Sequence, residues 1–127
     1  MPQRMTRDLR VGRYEGLYYD LGDCAGDVMV FWDRGAIQRV RATSNLFIYF
    51  RNMVAGRRLV LVLEQDAIGG RRVTGWPLYV HWQGGTWPTL STDPGSVDLI
   101  EFLCMGVGTV YGRLIWGRWA GIAAPSS

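Results

Sequence analysis

The sequence predicts an α+β fold, in which a small antiparallel β-sheet or partly open barrel packs against one or two helices. Three observations support this prediction. The 127 residues, of which 48% are hydrophobic and 20% charged, suit one folded domain. Short runs rich in β-forming residues alternate with glycine- and aspartate-containing turns, and one later segment carries a helix-start signal. We therefore expect a basic N-terminal arm over residues 1–12, a single globular domain over 13–124 and a tail over 125–127.

Three strands are predicted in the first third of the chain. Residues 13–19 are rich in tyrosine and end at the turn-like segment 20–26, which predicts the first strand. The apolar run 28–32 and the alternating run 36–41 lie on either side of Asp33-Arg-Gly35. This arrangement predicts two strands joined by a tight turn. The three strands together suggest a meander.

The middle of the chain predicts a short helix and a hairpin. The sequence Thr43-Ser-Asn45 is suited to capping a helix over 46–55, but further apolar residues blur the apolar face of that helix, so a strand is the alternative. Residues 59–63 are the most β-like stretch, and Gly69-Gly70 separates them from residues 72–82. This order predicts a hairpin.

Two elements are predicted in the last third. Asp93 is a good N-cap and Pro94 suits the first helical position, so a helix is expected over 94–105. The apolar segment 107–124 is interrupted by two arginines, which leaves it too short to span a bilayer, and no transmembrane segment is expected. Its glycines disfavour a helix. It is predicted to form a final core strand, with a role at a membrane interface as the alternative.

The charges of the chain are distributed in blocks. The net charge is +3, to which residues 1–13 contribute +3, residues 14–33 contribute −5 and residues 34–58 contribute +6. A basic face of this kind is typical of proteins that bind nucleic acid or an anionic surface. The alternative is that blocks of opposite charge neutralise each other across neighbouring strands.

Catalytic chemistry is poorly represented in the sequence. His81 is the single histidine, and Cys24 and Cys104 lie 80 positions apart, which gives neither a disulfide framework nor a zinc-binding spacing. A thiol hydrolase that pairs either cysteine with His81 is one alternative function. Against it, Cys24 lies among aspartates that raise a thiol pKa, and Cys104 falls at the C-terminal end of the helix expected over 94–105. We predict no catalytic residue, no metal site and no cofactor.

The composition favours a binding function instead. Arginines are candidate contacts for phosphates or for an acidic partner, and tryptophans are candidate stacking residues. The nine candidate contact residues are Arg39, Arg41, Arg57, Arg58, Arg71, Arg72, Trp76, Trp82 and Trp87. A protein partner is the first choice, and a small basic RNA-binding module is the alternative. A sheet edge near Pro77 is a candidate surface for homodimerisation or for the capture of a peptide. The unpaired cysteines favour an intracellular, cytoplasmic location.

Two motifs resemble those of a known family. Tyr14-Glu-Gly-Leu-Tyr18 resembles the pattern His-x-Gly-hydrophobic-Tyr, with tyrosine in place of the histidine. The segment that begins at Asp93 resembles the later Asn-Cys site, with Gly95 or Ser96 in place of the cysteine. In segment order, residues 12–106 resemble the picornavirus 2A proteins of the H-box/NC type, relatives of the lecithin:retinol acyltransferase-like thiol hydrolases. The resemblance implies a viral accessory protein that keeps the hydrolase scaffold without its catalytic pair and binds host proteins or RNA.

Overall fold

Most of the described residues, which are 17–106 and 108–117 of this computed structural model, form β-strands. The strands are β1 (Tyr18–Phe31), β2 (Ile37–Arg51), β3 (Arg58–Gln65), β4 (Val73–Gly75), β5 (Val80–Trp82), β6 (Val97–Gly106) and β7 (Thr109–Gly117). They form one sheet with the order β1-β2-β3-β6-β7-β5, and β4 pairs with β2. One-turn 3-10 helices, Trp32–Arg34 and Gln83–Gly85, follow β1 and β5. The predicted α+β class is therefore wrong, since the described part of the chain is a β-fold.

Both segments that were expected to be helical are strands. The segment 46–55 continues β2 as far as Arg51, and the segment 94–105 contains a turn followed by β6. The buried side chains in these strands recur at every second position, as in Asp98, Ile100, Phe102 and Cys104. A period of two places one face of a strand in the core, whereas a helix would need a spacing of three and four. Residues 93–96 form a turn, in which the Ser96 N–H donates to the Asp93 carbonyl at 3.0 Å.

The residues expected to cap the first helix instead form a corner within β2. Thr43 Oγ1 donates to the Cys24 carbonyl at 3.0 Å, and Ser44 Oγ accepts the Gly26 N–H at 3.0 Å. Asn45 Oδ1 accepts the Arg72 N–H at 3.0 Å. Short polar side chains of this type bond to backbone groups that lack a ladder partner. They therefore satisfy a bend between two strand segments rather than a helix terminus.

The N-terminal strands wind as a parallel coil. Tyr18 pairs with Ile37 and Phe31 pairs with Arg51 in a parallel ladder, although just five residues separate β1 from β2. A straight β1 would be about 43 Å long, and the steps from residue 31 to 37 cover at most about 22 Å. The strand must therefore bend back. It does so at Gly22 and Gly26, where the ladder register shifts and φ is +71° and +70°, values that suit glycine.

Two of the predicted strand pairings, the meander and the hairpin, differ from the pairings in the structure. Residues 28–31 belong to β1 and residues 37–41 to β2, and these two strands pair in parallel. A meander requires antiparallel pairing, so the predicted meander is wrong. The strand over 59–63 is confirmed as part of β3, but β3 pairs with β2 and β6 and not with residues 72–82, so the predicted hairpin is also wrong. Residues 72–82 contain β4 and β5, and Pro77 lies in the break between them.

The C-terminal strands complete the sheet, in which β6 pairs antiparallel with both of its neighbours. β6 pairs with β3 on one side and with β7 on the other, and β5 runs parallel to β7. The predicted final core strand is confirmed in the described residues as β7, whose Val110 is fully buried. The largest side chains of the core make edge-to-face contacts. The Phe50 ring contacts the Trp32 ring, with centroids 5.3 Å apart, and the Phe102 ring, with centroids 5.0 Å apart. Such contacts add to the stabilisation from burial.

Several expectations concern parts of the chain outside the described residues. The basic arm over 1–12, the tail over 125–127, and the motif residues Tyr14 to Gly16 lie there. Within the described residues, no helix has both the length and the apolar composition required to cross a bilayer.

Candidate functional site

Acidic and basic side chains pair across the first three strands. Arg39 on β2 contacts Asp20 on β1 at 3.0 Å and Glu64 on β3 at 2.8 Å. Arg41 contacts Asp23 at 2.9 Å. In the parallel register Asp20 lies directly beside Arg39, and Asp23 beside Arg41, so the acidic block and the basic block of the sequence face each other. Two of the candidate contact arginines are thus engaged within the sheet.

A second group of charges lies across β3, β6 and β7. Glu101 accepts hydrogen bonds from Arg58 and from Arg113, each at 3.0 Å, and these two guanidinium groups lower the pKa of the Glu101 carboxyl. Arg57 donates to the Trp32 carbonyl at 3.1 Å. Trp82 is half-buried and packs against Trp76 and Phe102 of the core. Arg57, Arg58 and Trp82 therefore each have structural contacts of their own.

The charges of the described residues balance. Residues 17–106 and 108–117 contain nine arginines and nine carboxylates. The net charge of +3 therefore arises from residues outside that part of the chain, chiefly from the four arginines of residues 1–13. The described residues therefore carry no net positive charge.

The remaining four candidate contact residues line one cleft. Arg71, Arg72, Trp76 and Trp87 surround a space of about 260 Å³, together with Thr89 and Thr92. We call this space the Arg-Trp cleft. Its walls are the loops 66–72 and 86–96, which lie at the same end of the sheet because β3 ends beside the start of β6, where Glu64 pairs with Val97. The sequence predicted these four residues as contacts, and the structure brings them together.

One buried amide fixes both walls of the cleft. The Gln65 side chain donates to the Arg71 carbonyl at 2.7 Å and to the Ser91 carbonyl at 3.2 Å, and its oxygen accepts the Arg71 N–H at 2.9 Å. Gln65 is nearly inaccessible to solvent. If either loop moved away, the buried amide would lose its hydrogen bonds without gaining water in their place, which costs free energy. The two loops are therefore held at a fixed separation.

An ion pair orders the first of these loops. Asp66 accepts hydrogen bonds from Arg71 Nη2 at 2.8 Å and from the N–H groups of Ile68 and Gly69 at 3.1 and 2.9 Å. Arg71, followed by the backbone donors, lowers the pKa of Asp66 to about 2. The carboxylate is thus charged at neutral pH and neutralises Arg71. Among the described residues, Arg72 is therefore the charge of the cleft that has no ion-pair partner.

The second loop is anchored by a buried carboxyl and a close backbone contact. Asp98 accepts the Ser91 N–H at 2.7 Å and the Ser91 hydroxyl at 2.9 Å, and burial raises the pKa of Asp98. Gly69 of the first loop lies so close that a Cβ there would be 2.7 Å from the Thr92 carbonyl oxygen. The cleft is therefore preformed before any ligand binds.

The chemistry of the cleft suits an anionic group beside a flat apolar one. Among the described lining residues there is no carboxylate, whereas the Arg72 side chain is exposed and the Trp87 ring is 48% exposed. Trp76 forms a buried floor. A volume near 260 Å³ lies just below the usual range of small-molecule sites, about 300–1,000 Å³. The cleft therefore fits one or two side chains better than a cofactor.

The thiols and the histidine are not arranged for catalysis. In the described residues neither cysteine is hydrogen-bonded to His81. His81 packs against Tyr111, its partner in the β5–β7 ladder, with ring centroids 5.5 Å apart. Burial, then Asp23 and Asp20, raise the pKa of Cys24, so its thiolate is disfavoured. Cys104 lies buried in β6 and not at a helix end. The described residues also contain no cluster of side chains suited to a metal ion.

Sequence reasoning missed a second surface, which we call the apolar shelf. It consists of Met29, Phe47, Tyr49 and Leu78, and the last three of these line a groove of about 210 Å³. Phe47 and Tyr49 stack with centroids 4.9 Å apart. These two residues alternate with buried residues along β2, which places them on the solvent face. Because the residues on both faces are apolar, the alternation is not recognisable in the sequence.

No protein-family model matches this chain, and neither the curated proteins nor the solved structures contain a match to it. The resemblance to the picornavirus 2A proteins therefore stays a prediction.

Proposed function

We propose that this chain is a non-enzymatic module that binds a protein partner through the Arg-Trp cleft. The observation that carries the proposal is the convergence of Arg71, Arg72, Trp76 and Trp87 on one preformed cleft. The partner segment would place a carboxylate against Arg72 and an aromatic or aliphatic side chain against Trp87. Arginine and tryptophan in a preformed depression are the residue types that dominate binding energy at protein interfaces.

The charge distribution favours a protein over RNA. Binding to a nucleic acid strand draws its affinity from several phosphate contacts, but four of the six candidate arginines, Arg39, Arg41, Arg58 and Arg71, are in ion pairs. The described residues are electrically neutral as a set. The Arg72 guanidinium, which has no ion-pair partner among the described residues, and the exposed Trp87 ring suit a local contact with a side chain.

The experiment compares three labelled probes by fluorescence anisotropy with the full chain. The probes are a peptide of alternating glutamate and phenylalanine, the same peptide with glutamine for glutamate, and oligouridylate of equal length. We expect the glutamate peptide to bind best. Arg72→Gln should weaken it by about 10- to 100-fold, because a hydrogen bond to a charged group contributes about 1.5–3 kcal/mol. Trp87→Ala should weaken it by about tenfold.

Arg58→Gln is the matched control, since Arg58 is an exposed arginine outside the cleft and Glu101 keeps Arg113 as a partner. Its affinity should equal that of the unmodified chain. Equal binding of the glutamate and glutamine peptides, or an unchanged affinity for Arg72→Gln, contradicts the proposal. The RNA alternative predicts that oligouridylate binds instead, with an affinity that falls steeply with salt and is abolished when Arg57 and Arg58 are replaced together.

A further inference from the structure

The apolar shelf is a continuous patch on the outer face of the coil. In the β1–β2 ladder Met29 lies beside Tyr49, and Asp27 lies beside Phe47. Met29 is 43% exposed and Phe47 38%, whereas the intervening residues Val28, Val30, Ile48 and Phe50 are in the core. Isolated exposed apolar residues are ordinary, but a contiguous group of them marks an interaction surface.

The groove and its rim are complementary to each other. Leu78 is 99% exposed and stands at the edge of the groove that Phe47, Tyr49 and Tyr79 help to line. A protruding leucine next to an apolar depression is the arrangement that an isologous dimer uses, because one two-fold axis then places each leucine in the depression of the other copy. The chain itself thus supplies the group that its groove lacks.

The charges that border the shelf fit the same arrangement. Asp27 lies at the start of the outer segment of β1, and Arg51 lies at the end of the neighbouring segment of β2, four residues further along the ladder. This separation is about 13 Å along the strands. A two-fold axis in the plane of the face, midway between the two residues, sets Asp27 of each copy opposite Arg51 of the other. Both charges are exposed in the single chain.

We infer that the apolar shelf is a homodimer interface, in which Leu78 of each copy occupies the groove of the other and Asp27 pairs with Arg51 across the axis. The interface combines a sheet face with the segment around Pro77, which lines the same groove. It adjoins the Arg-Trp cleft, since Trp76 lines both the cleft and the groove. Arg72 and Trp87 line only the cleft, so the proposed dimer leaves both available to a partner.

Sedimentation equilibrium of the full chain, from low micromolar to submillimolar concentration, tests the inference. We expect a monomer–dimer equilibrium. Leu78→Asp should raise the dimer dissociation constant by about 100-fold or more, because each dimer loses two leucine contacts. Ile68→Asp is the matched control, since Ile68 is 74% exposed on the loop 66–72, and it should leave the constant unchanged.

A charge exchange separates this geometry from nonspecific association. Asp27→Arg and Arg51→Asp should each weaken the dimer, because each places like charges opposite one another, and the double variant should restore it. Circular dichroism verifies that every variant is folded. A monomer at all concentrations overturns the inference, and so does a dimer that Leu78→Asp does not weaken or a double variant that is no tighter than the single ones.

Discussion

Replacing Gly75 by alanine should destabilise the protein through one neighbour, Phe47. Gly75 is buried in β4 directly beside Phe47 in the parallel ladder. A Cβ at Gly75 would lie 2.1 Å from Phe47 Cε2, whereas carbon atoms in contact are normally about 3.5–4.0 Å apart. The backbone at Gly75 does not have a positive φ, so an alanine there meets no conformational obstacle of its own.

The expected cost follows from how the ring must move. To accommodate the methyl group, the Phe47 ring has to retreat by more than about 1 Å, which disrupts its stack on Tyr49. Overpacking of this kind costs about 1–3 kcal/mol. Alanine is favoured over glycine in a strand by about 0.5–1 kcal/mol, which offsets part of the loss. We therefore expect Gly75→Ala to lower the free energy of unfolding by about 1–2 kcal/mol.

A double-mutant cycle with Phe47→Ala tests this reasoning. Once the ring is absent, the added methyl group meets no obstacle, so Gly75→Ala should become neutral or stabilising by about 0.5–1 kcal/mol. Urea titrations followed by tryptophan fluorescence measure the four variants, and the coupling between the two positions should be about 2 kcal/mol. Equal effects of Gly75→Ala in both backgrounds would refute the explanation.

Three further predictions concern the loops of the Arg-Trp cleft. Gly69→Ala should lower the free energy of unfolding by about 2–4 kcal/mol, since a side chain there combines a positive φ with a clash against the Thr92 carbonyl; a urea titration that finds no loss contradicts this. The pKa of Asp66 is lowered to about 2, so its stabilising effect is fully present above its ordinary value of 3.8 and is lost as the pH falls toward 2. Urea midpoints of Asp66→Asn should show a weaker pH dependence over that interval than those of the unmodified chain, and parallel curves would count against it. The pKa of Asp98 is raised, so its effect on stability is most favourable at low pH and declines as the pH rises through the folded pKa. Asp98→Asn, which can still bond to Ser91, should thus gain stability relative to the unmodified chain between pH 4 and pH 7, and a constant difference in unfolding free energy would exclude this explanation.

The strands were predictable where one face is apolar and the other is not, and were missed elsewhere. Leu59, Leu61 and Leu63 alternate with exposed or half-buried residues, and β3 was predicted correctly. In β6, by contrast, the buried set includes Asp98 and Cys104, so the alternation was hidden by a carboxyl that is buried because Ser91 bonds to it. Turn signals before β6 then favoured a helix start.

The coil could not be derived from local sequence. Short connections such as residues 32–36 normally join antiparallel strands, because parallel pairing needs a long crossover. Here the crossover is contained within the strand itself, through the bends at Gly22 and Gly26. The site was partly predictable, since Arg71, Arg72, Trp76 and Trp87 could be selected by residue type, but their convergence depends on Gln65, whose role as a buried bridge between two loops has no signature in the sequence.

The two kinds of pairing in the sheet differ in how far apart their residues are in the chain, and this bears on the order of folding. The β1–β2 ladder joins residues 19 positions apart at Tyr18 and Ile37, whereas the β3–β6 ladder joins residues 33 to 45 positions apart. The longer loops cost up to about 0.8 kcal/mol more to close, so β6 is expected to dock after the coil has formed. Until then the run Leu59-Val-Leu-Val-Leu63 is an open strand edge, and such an edge is a template for pairing between chains. The vulnerability of this protein to aggregation should therefore be greatest during folding and should end when β6 covers β3.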